Sequence, residues 1–189
     1  MDWIFEVKGR RVFMRARENG SEERTHVALK LLGMLLLSDE DPQMEPRRSV
    51  HHRKYKPDVI SGDGATWCEA GRVSMRKLED LASVRSVERL MVMKRGYNAA
   101  RDMARHFPSG TRADVSFYGW DVDAVQELAD AVSGHSDVAI TRVENDRLTL
   151  EDTFVAEASE VMTYRVDVDD WSITLPCLRF EPGCGQHVR

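Results

Sequence analysis

Cysteine is scarce: Cys68, Cys177 and Cys184 are the three in 189 residues, an odd count without framework spacing. That excludes a disulfide scaffold and suits a reducing compartment, so a cytoplasmic location is expected. Long hydrophobic runs are also missing. The most apolar stretch, Val27 to Leu37, is interrupted by Lys30 and falls far short of the roughly 20 residues a bilayer span needs. It reads as a core helix, and no membrane contact is expected. The opening Met1-Asp2-Trp3-Ile4-Phe5-Glu6 has neither the basic start nor the apolar centre of an export signal. No P-loop and no Gly-x-Ser-x-Gly elbow occurs, and Gly62-Asp63-Gly64 lacks the strand-to-helix setting of a dinucleotide fingerprint. Internal repeats, low-complexity tracts and Ser/Gly linkers are absent too.

What is present is a globular balance, 42% hydrophobic and 31% charged, in a length that suits one domain over residues 1–189 with a real core. The net charge of -5 argues at face value against a polyanionic partner, but it conceals an uneven distribution. Residues 1–46 carry 7 basic and 9 acidic side chains, 47–112 carry 15 and 7, and 113–189 carry 5 and 16. A basic middle next to an acidic end is compatible with a phosphate-bearing ligand at the middle.

Ile4 to Val7 and Val12 to Ala16 read as an N-terminal hairpin around Lys8-Gly9. Ser21 caps a helix whose first turn holds Glu22 and Glu23, where carboxylates suit the helix dipole. Asp39 to Pro46 reads as a loop, and strands are expected at Arg48 to Arg53, around Asp58-Val59-Ile60, and at Thr66 to Ala70. Ser74 caps a helix from Met75 to about Ser83, and Val87 to Met93 is a continuous apolar strand of the kind buried on both faces. Helix Tyr97 to Phe107 stops at Pro108; strand Asp114 to Tyr118 and helix Val122 to Val132 follow, the latter with Val122, Val125, Leu128, Ala129 and Val132 on one side. Beyond it come short strands at Val138 to Val143, Arg147 to Leu150, Val161 to Val166 and Ser172 to Leu175, and a mobile tail from Pro182.

The sharpest local signal is Asp63-Gly64 between two strand-like runs, the preferred centre of a two-residue type I′ hairpin with positive φ at both positions. That register sets Ile60 opposite Trp67 and Asp58 opposite Glu69. Like charges in a cross-strand pair repel, so the pair requires open solvent or a cation between the two carboxylates. Mg²⁺ is commonly held by one or two carboxylates with water and substrate phosphate completing its shell, and it can activate water there. The competing reading makes Asp58 a strand-edge residue and Glu69 a solvated one. Arg76 and Lys77 fall in the first turn of the following helix, where positive charge opposes the dipole and a bound anion relieves the conflict.

Pro57-Asp58, then Glu69 on the next strand, set between an acidic-start helix and a helix with a buried strand, resembles the PD-(D/E)XK nuclease-like core, αβββαβ. Ser21-Glu22 leading into His26-Val27-Ala28-Leu29-Lys30, with Trp67-Cys68-Glu69-Ala70-Gly71 and Arg76-Lys77-Leu78, is similar to its YaeQ-like branch. The resemblance implies an α/β fold with a mixed central sheet flanked by helices and a core at about residues 20–133; the N-terminal hairpin precedes that core, and a β-rich acidic extension at about 134–181 and a tail at 182–189 follow it. It further implies Asp58 and Glu69 as ligands of Mg²⁺ or Mn²⁺, the Ala70 carbonyl as a third, and Glu22 as an accessory acid. The family's lysine two residues after the second acid is Gly71 here, which makes Lys77 the relocated lysine, with Arg76 the weaker candidate.

The basic run Arg47-Arg48-Ser49-Val50-His51-His52-Arg53-Lys54-Tyr55-Lys56 is suited to a rim contacting a nucleic-acid backbone, or equally to a charged edge strand. His51 and His52 point to opposite sides of a strand and make no joint metal site. Zinc at Cys177, Cys184 and His187 has irregular spacing against it. The expectation is a Mg²⁺-dependent phosphodiester hydrolase of nucleic acid, with Asp58 and Glu69 holding a metal that activates water and Lys77 stabilising developing charge. The alternative is a catalytically inactive module of the same fold that binds nucleic acid or a protein partner. A third reading is an oligomeric structural protein joined through its C-terminal strands.

Overall fold

The apolar stretch too short for a membrane forms α1 (Arg24–Leu36), whose residues Val27 to Leu35 are all buried. Burial nearly all round follows from its leucine content and means that the helix is covered on more than one side. A computed structural model describes residues 2–7, 10–15, 24–46, 54–132, 135–143 and 152–184. The expected Ser21 cap, Glu22, and the strands at Arg48 to Arg53 and Arg147 to Leu150 lie outside those residues, as do Arg47, His51, His52 and His187.

After α1, the stretch expected to be a loop contains a single 3₁₀ turn at Ser38–Glu40 and a two-residue strand, β3 (Gln43–Met44). Then come β4 (Val59–Ile60), β5 (Thr66–Ala70), α2 (Met75–Ala82), β6 (Arg89–Arg95), α3 (Tyr97–His106), β7 (Asp114–Trp120) and α4 (Val122–Ala131). The Ser74 cap is as expected: its side chain accepts a hydrogen bond from the Lys77 amide at 3.2 Å. On α4 the expected apolar face needs one correction. Val122, at the first position of the helix, is 43% exposed, and Ala124 takes the buried place with Val125, Leu128 and Ala129.

β5, β6 and β7 are parallel neighbours, and β3 and β4 add antiparallel strands at one side. The acidic C-terminal part is not an appendage. Its strands β8 (His135–Val143), β9 (Glu160–Val168) and β10 (Trp171–Phe180) continue the same sheet from β7, with α5 (Asp152–Glu157) between β8 and β9. The N-terminal strands β1 (Asp2–Val7) and β2 (Arg10–Arg15) form the expected antiparallel pair, and β1 runs parallel to β8. Among the described residues this makes one ten-stranded sheet, in the order β2-β1-β8-β9-β10-β7-β6-β5-β4-β3. Each of β8, β9 and β10 has a neighbour on both sides, so none offers the free edge that an oligomer built on the C-terminal strands would use. The tail is fastened too, at least through Cys184: the Gly183 amide donates to the Ala104 carbonyl at 2.8 Å.

Two apolar layers fill the space between sheet and helices. One joins α1 and α4 to Cys68, Met91, Met93 and Trp120; the other joins α2 and α3 to Trp67, Leu90, Val92 and Phe117. Alternation along the strands explains the division, because successive side chains point to opposite faces. One described ion pair, Glu157 with Arg105, joins the acidic last third to the basic middle, whereas Glu160 with Arg142 (2.7 Å) and Glu181 with Arg179 (2.8 Å) pair within the last third.

Candidate functional site

The β4–β5 hairpin has the expected register but a different turn. Ile60 pairs with Trp67 and Val59 with Cys68, which carries Asp58 opposite Glu69. Of the two turn residues only Gly64 has positive φ, at 78°, so the connection is not type I′. It is a longer loop closed by Ser61: its amide donates to the Thr66 carbonyl at 3.0 Å, its Oγ accepts from the Thr66 amide at 2.9 Å, and the Gly64 amide donates to the Ser61 carbonyl at 2.9 Å. Asp63 stabilises the bend from its side chain, accepting from Ser61 Oγ at 2.5 Å and from the Ala65 amide at 3.0 Å. The two- and four-residue loops share a centre, so the register is unaffected.

Asp58 stands just before β4 and is locked by backbone contacts. Its amide donates to the Cys68 carbonyl at 3.1 Å, and its Oδ2 accepts from the Ala70 amide at 2.8 Å. The other oxygen, Oδ1, faces α1, where it lies 3.6 Å from Lys30 Nζ and 3.8 Å from His26 Nε2. Glu69, in mid β5, is 2% exposed, which rules out the solvated alternative. Its Oε2 accepts from Lys77 Nζ at 2.5 Å, while its buried Oε1 has no hydrogen-bond partner among the described residues.

Burial, and secondarily the charge of Asp58, push the Glu69 carboxyl up to about 7, against the opposing pull of Lys77 and Lys30. Asp58 and Glu69 thus stand opposite each other in register, Asp58 turned toward Lys30 and His26 of α1 and Glu69 toward Lys77 of α2, with the Asp58 charge still acting on Glu69. Burial also drives the Cys68 thiol well above its ordinary value, so Cys68 is a packed apolar residue and not a thiolate ligand or nucleophile. Arg76 is exposed, and Lys77 is the basic residue of α2 that reaches Glu69. Glu22 lies outside the described residues.

No family model and no curated protein matches the chain. Solved structures do. The YaeQ protein from Pseudomonas syringae superposes with a TM-score of 0.64 over 94% of this chain and 93% of that one, at 14% identity. The YaeQ protein from Xanthomonas axonopodis pv. citri gives 0.62, covering 96% and 97%, again at 14% identity. The fold is YaeQ-like. At such identity the likeness concerns the fold alone, and the side chains of the site must be argued from this chain.

Three residues at the acids of this YaeQ-like fold escaped the sequence reading. Lys30, 2% exposed, bonds Glu45 Oε1 at 2.5 Å in addition to facing Asp58. His26, one helical turn earlier, packs against Gly71. For Lys30 the signal was present as the one charge in an apolar run; Glu45, in an unpatterned loop, gave none. Gly71 has φ +66°, and a Cβ there would stand 2.5 Å from His26 Nδ1. Both conditions demand glycine.

The candidate donors for a hard cation are the carboxylates of Asp58 and Glu69. Among the described residues no three His, Cys, Asp or Glu side chains form a metal cage. Mg²⁺ does not require one: two carboxylates plus water and substrate oxygens suffice. The orphaned Glu69 Oε1 is the feature that a cation would satisfy, since a buried acceptor without a partner is uncommon and costly. No helix among the described residues is long and apolar enough to cross a bilayer.

Proposed function

We propose that the chain is a Mg²⁺-dependent phosphodiester hydrolase acting on nucleic acid, with Asp58 and Glu69 as metal ligands and Lys77 as the basic residue of the site. The carrying observation is the buried Glu69, whose Oε1 lacks a partner among the described residues and whose carboxyl is pushed up to about 7 by burial and by Asp58. The element order α1-β3-β4-β5-α2-β6 supports a PD-(D/E)XK-like αβββαβ core, with β3 as its first strand. Mn²⁺ has the same preference for oxygen donors and would serve in place of Mg²⁺. Bound Mg²⁺ supplies a Lewis acid for a phosphoryl oxygen and lowers the pKa of water.

The chain's own groups do the rest. The hydrogen bond from the Ala70 amide orients Asp58, and the carbonyl of the same residue would serve as the third ligand of the proposal. Lys77, fixed at the capped start of α2, offers a mobile positive charge to a phosphate oxygen once it leaves Glu69. Tyr55 supports that lysine: its ring centroid is 5.8 Å from Lys77 Nζ and its hydroxyl donates to Asp80 at 2.8 Å. Lys54 lies 4.6 Å from the same centroid, and with Lys77 forms the described part of a basic rim.

Cleavage of single- and double-stranded DNA and RNA in Mg²⁺ or Mn²⁺ tests the reading. Asp58→Ala and Glu69→Ala are each expected to reduce the rate by at least about 100-fold, the scale of losing a principal electrostatic contributor. Hydrolysis that persists in both variants would sink the assignment. Gly71→Lys, which puts back the lysine of the family pattern, is expected to gain no activity and to lose about 1–3 kcal/mol in denaturant unfolding, because positive φ and His26 both oppose a side chain there.

A second reading has its own observation. Lys30 and Lys77 already neutralise the acids from inside the protein, as in a metal-free module that binds nucleic acid or a protein without cleaving. Calorimetric titration with Mg²⁺ separates the two: heat of binding that disappears in Glu69→Ala supports the hydrolase, and a flat titration supports the silent module.

A further inference from the structure

Three lysines lie buried or half-buried near this end of β5, and two are matched by carboxylates. Lys77 has Glu69 at 2.5 Å, and Lys30 has Glu45 at 2.5 Å and Asp58 at 3.6 Å. The third is Lys94, the penultimate residue of β6, only 8% exposed. Its Nζ donates to the carbonyl of Gly71 at 2.5 Å, and among the described residues no carboxylate lies within ion-pair distance of it. A neutral carbonyl does not balance a buried positive charge, and burial accordingly pulls the Lys94 ammonium below its ordinary value.

Placement makes the imbalance meaningful. Glu69 is level with Val92 in the parallel β5–β6 ladder, so Glu69, Val92 and Lys94 project from the same face of the sheet. α2, which carries Lys77, covers that face, since Leu78 and Leu81 pack with Trp67, Leu90 and Val92. Lys94 also stands where the parallel strands end at their carboxyl termini, the side on which open α/β sheets receive ligands. Gly71, which accepts the Lys94 bond, is held to glycine by its φ of +66° and by His26, which a Cβ there would strike.

We infer that Lys94 is a phosphate-binding residue of this site, contributed by the strand next to the one bearing Glu69 and supplying a positive charge that no carboxylate among the described residues neutralises. The inference rests on the phosphodiester reading above, and assigns to Lys94 the binding of the phosphate, with metal handled by the acids. Lysine is suited to the task as a compact point charge with three donors, one of which can stay on the Gly71 carbonyl.

Binding without metal tests it independently of hydrolysis. The full chain in EDTA is titrated against a fluorescent ten-nucleotide single-stranded oligodeoxynucleotide, with inorganic phosphate as competitor and circular dichroism as the check on folding. Lys94→Met is expected to weaken binding about tenfold and to reduce the slope of log affinity against log salt by about 0.7, the loss of one phosphate contact on a single strand. Lys94→Arg is expected to keep affinity within about threefold, since the charge persists. If Lys94→Met does not fold, Lys94→Gln is read in its place.

A variant lacking the charge that binds with wild-type affinity and salt slope overturns the inference, as does a wild-type chain that binds no oligonucleotide in EDTA. The two readings fail separately. Binding that depends on Lys94 with no cleavage in Mg²⁺ removes the hydrolase and keeps this assignment, whereas cleavage with binding indifferent to Lys94 does the opposite.

Discussion

Replacing Glu69 with glutamine is expected to make the protein more stable at pH 8, by about 2 kcal/mol, and to remove a fall in stability that the wild type shows as pH rises from about 4.5 to 7. The folded carboxyl is raised from 4.5 to about 7, so in that interval the native state holds a proton that the unfolded chain has released. Stability therefore decreases with rising pH, the reverse of an ordinary salt-bridged carboxylate, and levels off above the folded value. Roughly 1.4 kcal/mol per pH unit puts the whole effect at about 3 kcal/mol, and the lost Lys77 pair takes back part of it in the variant. Chemical denaturation at several pH values measures it. A Glu69→Gln protein that is less stable than wild type at pH 8 would show that Glu69 is adequately compensated as an anion. The same linkage gives a signature of metal binding: a cation that pairs with the ionised carboxylate displaces its proton, so Mg²⁺ should raise the melting temperature of the wild type more at pH 8 than at pH 6, and leave Glu69→Gln much less affected.

Lys30→Ala is the second large effect, an expected loss of about 2–4 kcal/mol in unfolding free energy. The substitution takes a 2% exposed ammonium away from Glu45 and Asp58 and leaves two half-buried carboxylates facing each other's field. It also removes the aliphatic stem from a helix that is covered nearly all round. Lys30→Met restores the stem but not the charge, and should recover part of the loss. The difference between the two variants isolates the ion pairs. Because the Lys30 charge pulls the Glu69 carboxyl downward, either substitution should also move the pH-dependent fall in stability toward higher pH. Wild-type denaturation midpoints in Lys30→Ala would contradict a compensating role for the ammonium.

The site was legible in the sequence to the extent that it depends on neighbouring strands. A hairpin centred between Asp63 and Gly64 puts Asp58 across from Glu69 whether its loop has two residues or four, which is why an incorrect turn type still led to the correct pair. The capped helix that presents Lys77 was equally visible, since Ser74 and the first turn are contiguous. Lys94 and Glu45 were not. Each reaches the site from an element whose position is set by packing: Lys94 by the β5–β6 ladder, and Glu45 by the bend that brings its amide to the Asp58 carbonyl at 2.8 Å.

Local rules likewise account for most helices and strands. Periodicity located α1, α3 and α4, continuous apolarity located β6, and Pro108 stopped α3 as expected. They did not reveal α5, six residues long, which is held against α3 by Phe154 beneath Tyr97 and by Glu157 on Arg105. A helix of that length is too short to be stable by propensity, so its sequence carries little trace of it. The sequence by itself determined a soluble-type composition, the helix-and-strand order from α1 to α4, and a pair of acids facing each other across a hairpin. Only the tertiary structure decided that the acidic C-terminal strands continue the central sheet instead of forming an extension, that β1 runs beside β8, and that lysines from α1, α2 and β6 gather near the acids. Hairpins and caps follow from residues a few positions apart, whereas strand order and converging charges are settled when the two apolar faces of the sheet find their covering helices.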